Sequence, residues 1–232
     1  MIPKVVHLTA KTKKLTWEEN RLMKKNQKLL KGYEFVLHDD SDNEKMVAEH
    51  FPQYYEKYQS ISKGVAKADV ARVMYMYIWG GWYIDTDYRF FKDPAGLKEM
   101  ESATVVLPIS REPDKDDVFR LGNAIYGSAP KQKFWLDFLE TIFSSTELSD
   151  LKENRIEKVT GPEGVTAFYK KQLSKNIISE LYPGLITPNK AIFHPSKGQK
   201  GFYGKHYCWG SWRTKNLHVN LKSYIKRKLQ AL

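Results

Sequence analysis

The stretch from Ile61 to Asp87 leaves this chain few folds to choose from. Val65, Ala68, Arg72, Tyr75, Met76 and Trp79 recur at helical spacing, and Gly80-Gly81 stops the helix. Trp82-Tyr83-Ile84 is then a brief apolar strand that runs straight into Asp85-Thr86-Asp87. The opening of the chain adds a second such unit. Residues 2–8 read as a buried strand, Thr16 caps a lysine-rich helix reaching about Lys31, Gly32 stops it, and Tyr33 to Leu37 forms the next strand. Strand, helix, strand is the signature of an α/β fold with a parallel sheet.

The rest of the chain fits that class. Residues 43–59 are expected to be helical with a break at Pro52, and Thr104 to Pro108 and Asn123 to Gly127 to be strands. The alternating charges around Pro113, from Ser110 to Val118, read as loop. Phe134 to Phe143 is an amphipathic helix, and Gly161-Pro162-Glu163-Gly164 opens another. Pro183 to Gly210 is rich in glycine, proline and aromatics, so loop and short strand are expected there, followed by a basic helix over residues 220–232. No repeat or low-complexity linker divides the 232 residues, which predicts a single domain.

Composition bounds the function. At 41% hydrophobic and 13% aromatic residues the chain can build a core, and its net charge of +11 points to polyanionic partners: nucleic acid, anionic membrane or phosphorylated substrate. One cysteine, Cys208, excludes an internal disulfide and multi-cysteine zinc clusters. Neither a signal-peptide run nor a stretch long enough to span a bilayer is visible, so the expected setting is soluble and cytoplasmic.

Asp85 and Asp87 carry the chemistry. On an extended segment, residues i and i+2 point to the same side, and a hard divalent ion takes two such carboxylates while sharing phosphate oxygens. Placed after a buried strand, the pair stands at the carboxyl edge of the sheet, where open α/β folds bind ligands.

Asp69-x-x-Arg72 followed by Gly80-Gly81-x-Tyr83-x-Asp85-x-Asp87 resembles the signature of the DXD-containing glycosyltransferase family 32. That family includes capsular-polysaccharide sugar transferases and initiating mannosyltransferases. Ile2-Pro3-Lys4-Val5-Val6-His7 resembles its first strand, and His206-x-x-x-x-Ser211-Trp212 its closing segment. The resemblance implies a GT-A-like single domain with a mostly parallel sheet flanked by helices and a C-terminal helical tail. Its nucleotide-sugar-binding core would cover about residues 1–128, acceptor-side helices and a closing loop 129–219, and the tail 220–232.

It also implies roles. Asp87 would ligate the metal, with Asp85 reaching the donor sugar or ribose as well as the ion, and His206 completing the metal shell. Asp69 and Arg72 would contact the donor sugar's hydroxyls, Tyr83 the ribose or sugar, and Asn123 a hydroxyl near the reacting carbon. Val6, His7 and Leu8 would lie at the donor nucleotide, Ser211 and Trp212 would close over the diphosphate, and the Thr160-Gly161-Pro162 turn would border the acceptor. One departure stands out. Many members carry a tryptophan soon after the first strand, where this chain reads Leu8-Thr9-Ala10.

The implied activity is retaining, metal-dependent transfer of a hexose to a glycan or lipid-linked acceptor in polysaccharide biosynthesis. Mn2+ is the expected ion ahead of Mg2+, and UDP-hexose the expected donor ahead of GDP-mannose. The tail places Leu221, Tyr224, Ile225, Leu229 and Leu232 on one face with Lys222, Lys226, Arg227 and Lys228 around them, a pattern suited either to an anionic inner membrane face or to a terminal helix packed on the domain with a solvated basic face. A toxin-like transferase acting on a protein is the alternative within the class. A nucleic-acid binder is the rival from charge alone, but the basic residues are spread and no such module is recognisable, so no nucleic acid is expected. A phosphatase of the Asp-x-Asp-x-Thr kind would need threonine where Arg89 stands.

Overall fold

The computed structural model describes residues 1–113, 119–175, 177–209 and 228–231. Its first strand, β1 (Val5–Thr9), leads through α1 (Trp17–Leu29) to β2 (Glu34–His38), which pairs parallel to β1 with Val5 opposite Glu34. Thr16 and Glu19 form a capping box that fixes where α1 begins. A second box, Asp39 with Asp42, starts α2 (Asp40–His50). The helix therefore begins before residue 43, because the polar run after β2 is a cap rather than a loop. Pro52 ends it as expected, and α3 (Tyr55–Ser60) and α4 (Gly64–Ile78) follow.

Gly80 and Gly81 have φ of 66° and 83°, in the left-handed region that a Cβ disfavours. A Cβ would stand 2.6 Å from the Ser128 carbonyl oxygen at Gly80 and 2.6 Å from that of Val5 at Gly81. These glycines stop α4 and also let β3 (Gly81–Ile84) enter the sheet against neighbouring backbone.

The chain then adds β4 (Tyr88–Phe90), β5 (Val105–Val106), β6 (Ile109–Arg111), β7 (Arg120–Leu121) and β8 (Ile125–Ser128). Helices α5 (Lys133–Phe143), α6 (Ile156–Val159), α7 (Pro162–Leu173) and α8 (Ile178–Leu181) precede β9 (Leu185–Ile186), α9 (Lys190–Phe193) and β10 (Gly204–His206). The main sheet has the order β2-β1-β3-β8-β5-β9. Pairings β1–β2, β1–β3 and β5–β9 are parallel, whereas β8 runs antiparallel to β3 and to β5. The sheet is mostly parallel, with one reversed strand that alternation along Asn123 to Gly127 did not reveal. Part of the expected 110–118 loop is β6, which pairs with β7; residues 114–118 lie outside the described ones.

Both faces of the sheet are covered. On one, Val70, Met74, Tyr83, Tyr126, Trp135 and Phe138 join α4 and α5 to the strands. On the other, Val6, Leu8, Trp82, Ile84, Tyr88 and Phe193 form a second cluster. This is the alternation of period 2 applied to a sheet buried on both sides. Residues 228–231 are helical, and the Ala231 carbonyl accepts hydrogen bonds from Arg21 Nε (2.9 Å) and Lys25 Nζ (2.8 Å). The remainder of the expected tail helix lies outside the described residues. Among the described residues, no helix is long and apolar enough to cross a membrane.

Candidate active site

Asp85-Thr86-Asp87 joins β3 to β4 as a turn, closed by the Tyr88 N–H donating to the Asp85 carbonyl (3.0 Å). The extended geometry expected for the pair is therefore incorrect; the carboxylates converge because the chain folds over between two strands. Neighbours hold the turn from both sides. The Asp85 N–H donates to the Ala124 carbonyl (2.9 Å), and the Thr86 hydroxyl donates to Glu19 Oε1 (2.7 Å). The other oxygen of Glu19 completes the α1 capping box, so one carboxylate ties a helix start to the turn.

β10 pairs antiparallel with β4, which sets His206 opposite Tyr88 and beside the turn. His206 Nε2 lies 2.9 Å from Asp87 Oδ1 and 3.6 Å from Asp85 Oδ2. One ligand atom from each of the three residues falls within 4.8 Å of the others. Asp87 Oδ2 accepts the Trp209 backbone N–H at 2.7 Å, and Cys208 makes that turn possible at φ 54°. The Cys208 sulfur is 3.3 Å from His206 Nδ1.

Burial opposes charge on the His206 ring, but hydrogen bonds with Asp87 and Cys208 and the charges of Asp87 and Asp85 carry its pKa well above the ordinary histidine value. Burial likewise works against the Asp87 carboxylate, and His206 with the Trp209 N–H outweighs it, so its pKa is lowered. The pocket of two carboxylates thus calls for positive charge. Two carboxylates and one imidazole form a donor set that a divalent ion can use.

Behind this trio lies a buried network. Asp69 and Arg72, one turn apart on α4, pair at 3.0 Å, and Arg72 Nη1 reaches Asp85 Oδ1 at 3.1 Å. The same Nη1 donates to the Asn123 carbonyl at 2.6 Å, and the guanidinium sits 4.6 Å from the Tyr83 ring centroid. Tyr83 donates its hydroxyl to Asp85 Oδ1 at 2.8 Å. Asp69 Oδ1 accepts from Asn123 Nδ2 (3.0 Å), and Oδ2 from the Thr160 hydroxyl (3.0 Å). Burial pushes the Asp69 pKa up to about 6 against the pull of Arg72 and Thr160.

The structure therefore gathers Asp69, Arg72, Tyr83, Asp85, Asp87, Asn123 and His206 into one site. Tyr83 is almost fully buried and reaches it through Asp85, not as an exposed face. Val6 and Leu8 point into the core, which leaves only their backbone for a donor, and His7 is stacked on His38, Tyr75 and Trp79. Ser211 and Trp212 lie outside the described residues. Glu19 and the Trp209 N–H were not foreseen, since a capping box announces a helix start and says nothing of a distant turn.

Residues 16–104 match the glycosyltransferase sugar-binding region containing the DXD motif. The chain is 24% identical over 176 residues to inositol phosphoceramide mannosyltransferase 2 of Schizosaccharomyces pombe, covering 75% of this chain and 48% of that protein. It is 24% identical over 173 residues to mannosyl phosphorylinositol ceramide synthase SUR1 of Saccharomyces cerevisiae, covering 74% of this chain and 42% of that protein. The chain thus spans less than half the length of these relatives. Among solved structures it resembles the PaToxG glycosyltransferase, with a TM-score of 0.55 at 16% identity, over 77% of this chain and 74% of that one. The comparisons thus agree on a match to a DXD-containing sugar-binding region over residues 16–104, set in a fold of the GT-A type.

Proposed function

We propose that the protein is a metal-dependent glycosyltransferase that moves a hexose from a nucleotide-sugar donor to a hydroxyl acceptor. The observation that carries this reading is the convergence of His206 on Asp85 and Asp87, which stand at the carboxyl edge of β3 inside the matched DXD region. When bound there, a divalent cation draws negative charge from the departing diphosphate. Asp87, Asp85 and His206 would hold it, the imidazole giving up its proton as the cation enters. Arg72 and Tyr83 fix Asp85 by one oxygen, Oδ1, so the turn is preorganised before a donor arrives.

Retention of anomeric configuration is proposed as well. Asp69, a further carboxylate behind the trio, has both oxygens engaged and is not placed as a nucleophile. The acceptor oxygen would bond to the sugar carbon on the face from which the diphosphate oxygen leaves, and the hydroxyl proton would pass to that oxygen. Mannosyl transfer in the names of the relatives makes GDP-mannose a donor to test beside UDP-hexoses, and a lipid-linked glycan a fitting acceptor. A cytoplasmic site at an anionic membrane face, reached through residues 221–232, is the proposed setting. Liposome sedimentation with and without those residues tests it.

The experiment for the activity is a donor-hydrolysis panel across UDP- and GDP-sugars with and without Mn2+. Cation-dependent release of one nucleoside diphosphate is the expected outcome. No release from any donor, with the fold intact, would contradict the reading.

A further inference from the structure

We propose that Thr160 is a positioning residue for the cation site, acting through Asp69 and Arg72. It rests on the reading of Asp85, Asp87 and His206 as that site. Thr160 is far from the DXD turn in sequence and touches none of the three. Its hydroxyl is the one donor among the described residues that reaches Asp69 Oδ2, at 3.0 Å.

The Thr160 hydroxyl has two acceptors in reach, Asp69 Oδ2 and the Ile156 carbonyl at 3.3 Å, and Asp69 is the nearer. Asp69 is buried, so its oxygens must be satisfied by protein groups. Oδ1 is shared by Arg72 Nη2 and Asn123 Nδ2, each at 3.0 Å, while Oδ2 depends on Thr160. Arg72 then divides its charge between Asp69 and Asp85. Thr160 itself is held rigidly. Its N–H donates to the Ile156 carbonyl at 3.0 Å, and a Cβ on Gly161 would stand 2.8 Å from Glu157 Cα. On Gly164 a Cβ would meet the Val159 carbonyl oxygen at 2.6 Å, so the corner between α6 and α7 packs too closely to drift.

Without that hydroxyl, the Asp69 carboxylate loses its hold and balances Arg72 less well. The guanidinium charge then falls more fully on Asp85, which both occupies a ligand and repels a cation. Residues on the α6–α7 side, distant in sequence from the donor motif, would thus set how well the motif binds metal. Partners bonded directly to a ligand are worth about 10–100-fold in metal affinity, and Thr160, two residues further out, takes the low end.

Mn2+ titration followed by electron paramagnetic resonance reads this without turnover, on wild type, T160V, T160S and D69N. Expected are an affinity about 10-fold weaker in T160V, near wild-type affinity in T160S, and no added loss when T160V is combined with D69N. T160A replaces T160V if the latter does not fold. Wild-type affinity in T160V, or an undiminished T160V effect on top of D69N, would overturn the proposal alone. Absence of Mn2+ binding by wild type would instead overturn the cation site and the proposal with it.

Discussion

Arg72 bears the heaviest load of any single residue. Its guanidinium is buried, yet Tyr83, Asp85 and Asp69 around it outweigh the cost of burial and raise its pKa further above the usual arginine value. Only a planar fork can serve two carboxylates and a carbonyl at once, whereas an ammonium is a point charge. R72A leaves two acids facing each other without a cation, and the expected loss is about 3–5 kcal/mol of stability, as for other broken buried pairs. R72K should recover only part of it. Urea unfolding of both variants checks this; equal stability of R72K and wild type would show that charge alone suffices. Sequence spacing places Asp69 and Arg72 on one face of α4, but the bridge from Asp69 through Arg72 to Asp85 comes from the packing of α4 behind β3, which spacing cannot express.

At the scale of elements, local chemistry was legible wherever a residue type has one conformational use. Thr16 as a cap, the break at Pro52 and the halt of α4 at Gly80-Gly81 all follow from the sequence. The direction of β8 does not, because alternation fixes which face a residue takes and not which way the strand runs. The start of α2 was missed since Asp39 to Asp42 suits a polar loop as well as a capping box. His206 was picked out by resemblance, yet its approach to Asp87 is a product of β10–β4 pairing. Gly80→Ala tests the element account: its Cβ would stand 2.6–2.9 Å from backbone atoms of Ser128, Ala129 and Pro130 at a positive φ. The expected cost is about 2–4 kcal/mol, combining left-handed strain and overlap. A thermal melt matching wild type would contradict that placement.

Across the whole molecule, two buried histidines make stability depend on pH. His7 Nδ1 and His38 Nε2 are 3.1 Å apart, a hydrogen bond that needs one of them unprotonated. Burial, with the charge of His38, lowers the pKa of His7 to about 3, and burial lowers that of His38 to about 4 against the pull of Asp42. Both folded values lie below the unfolded 6.5, so their stabilising share is complete above pH 6.5 and is lost as pH falls from there toward 4. Each ring contributes a slope on the order of 1 kcal/mol per pH unit. Asp69, raised to about 6, and His206, raised well above 6.5, work the other way, but His194, lowered to about 3 by burial, joins His7 and His38 against them. The melting temperature should therefore fall between pH 7 and pH 5, and a flat profile would contradict it. In the proposed activity one cation would join the Asp85–Asp87–His206 trio to a donor's diphosphate. The most direct measurement is calorimetric titration of UDP and GDP into wild type and D87A, with and without Mn2+. A cation bridge predicts that one of the nucleotides binds wild type only with Mn2+ and that D87A abolishes it; Mn2+-independent binding, or binding undiminished in D87A, would contradict it.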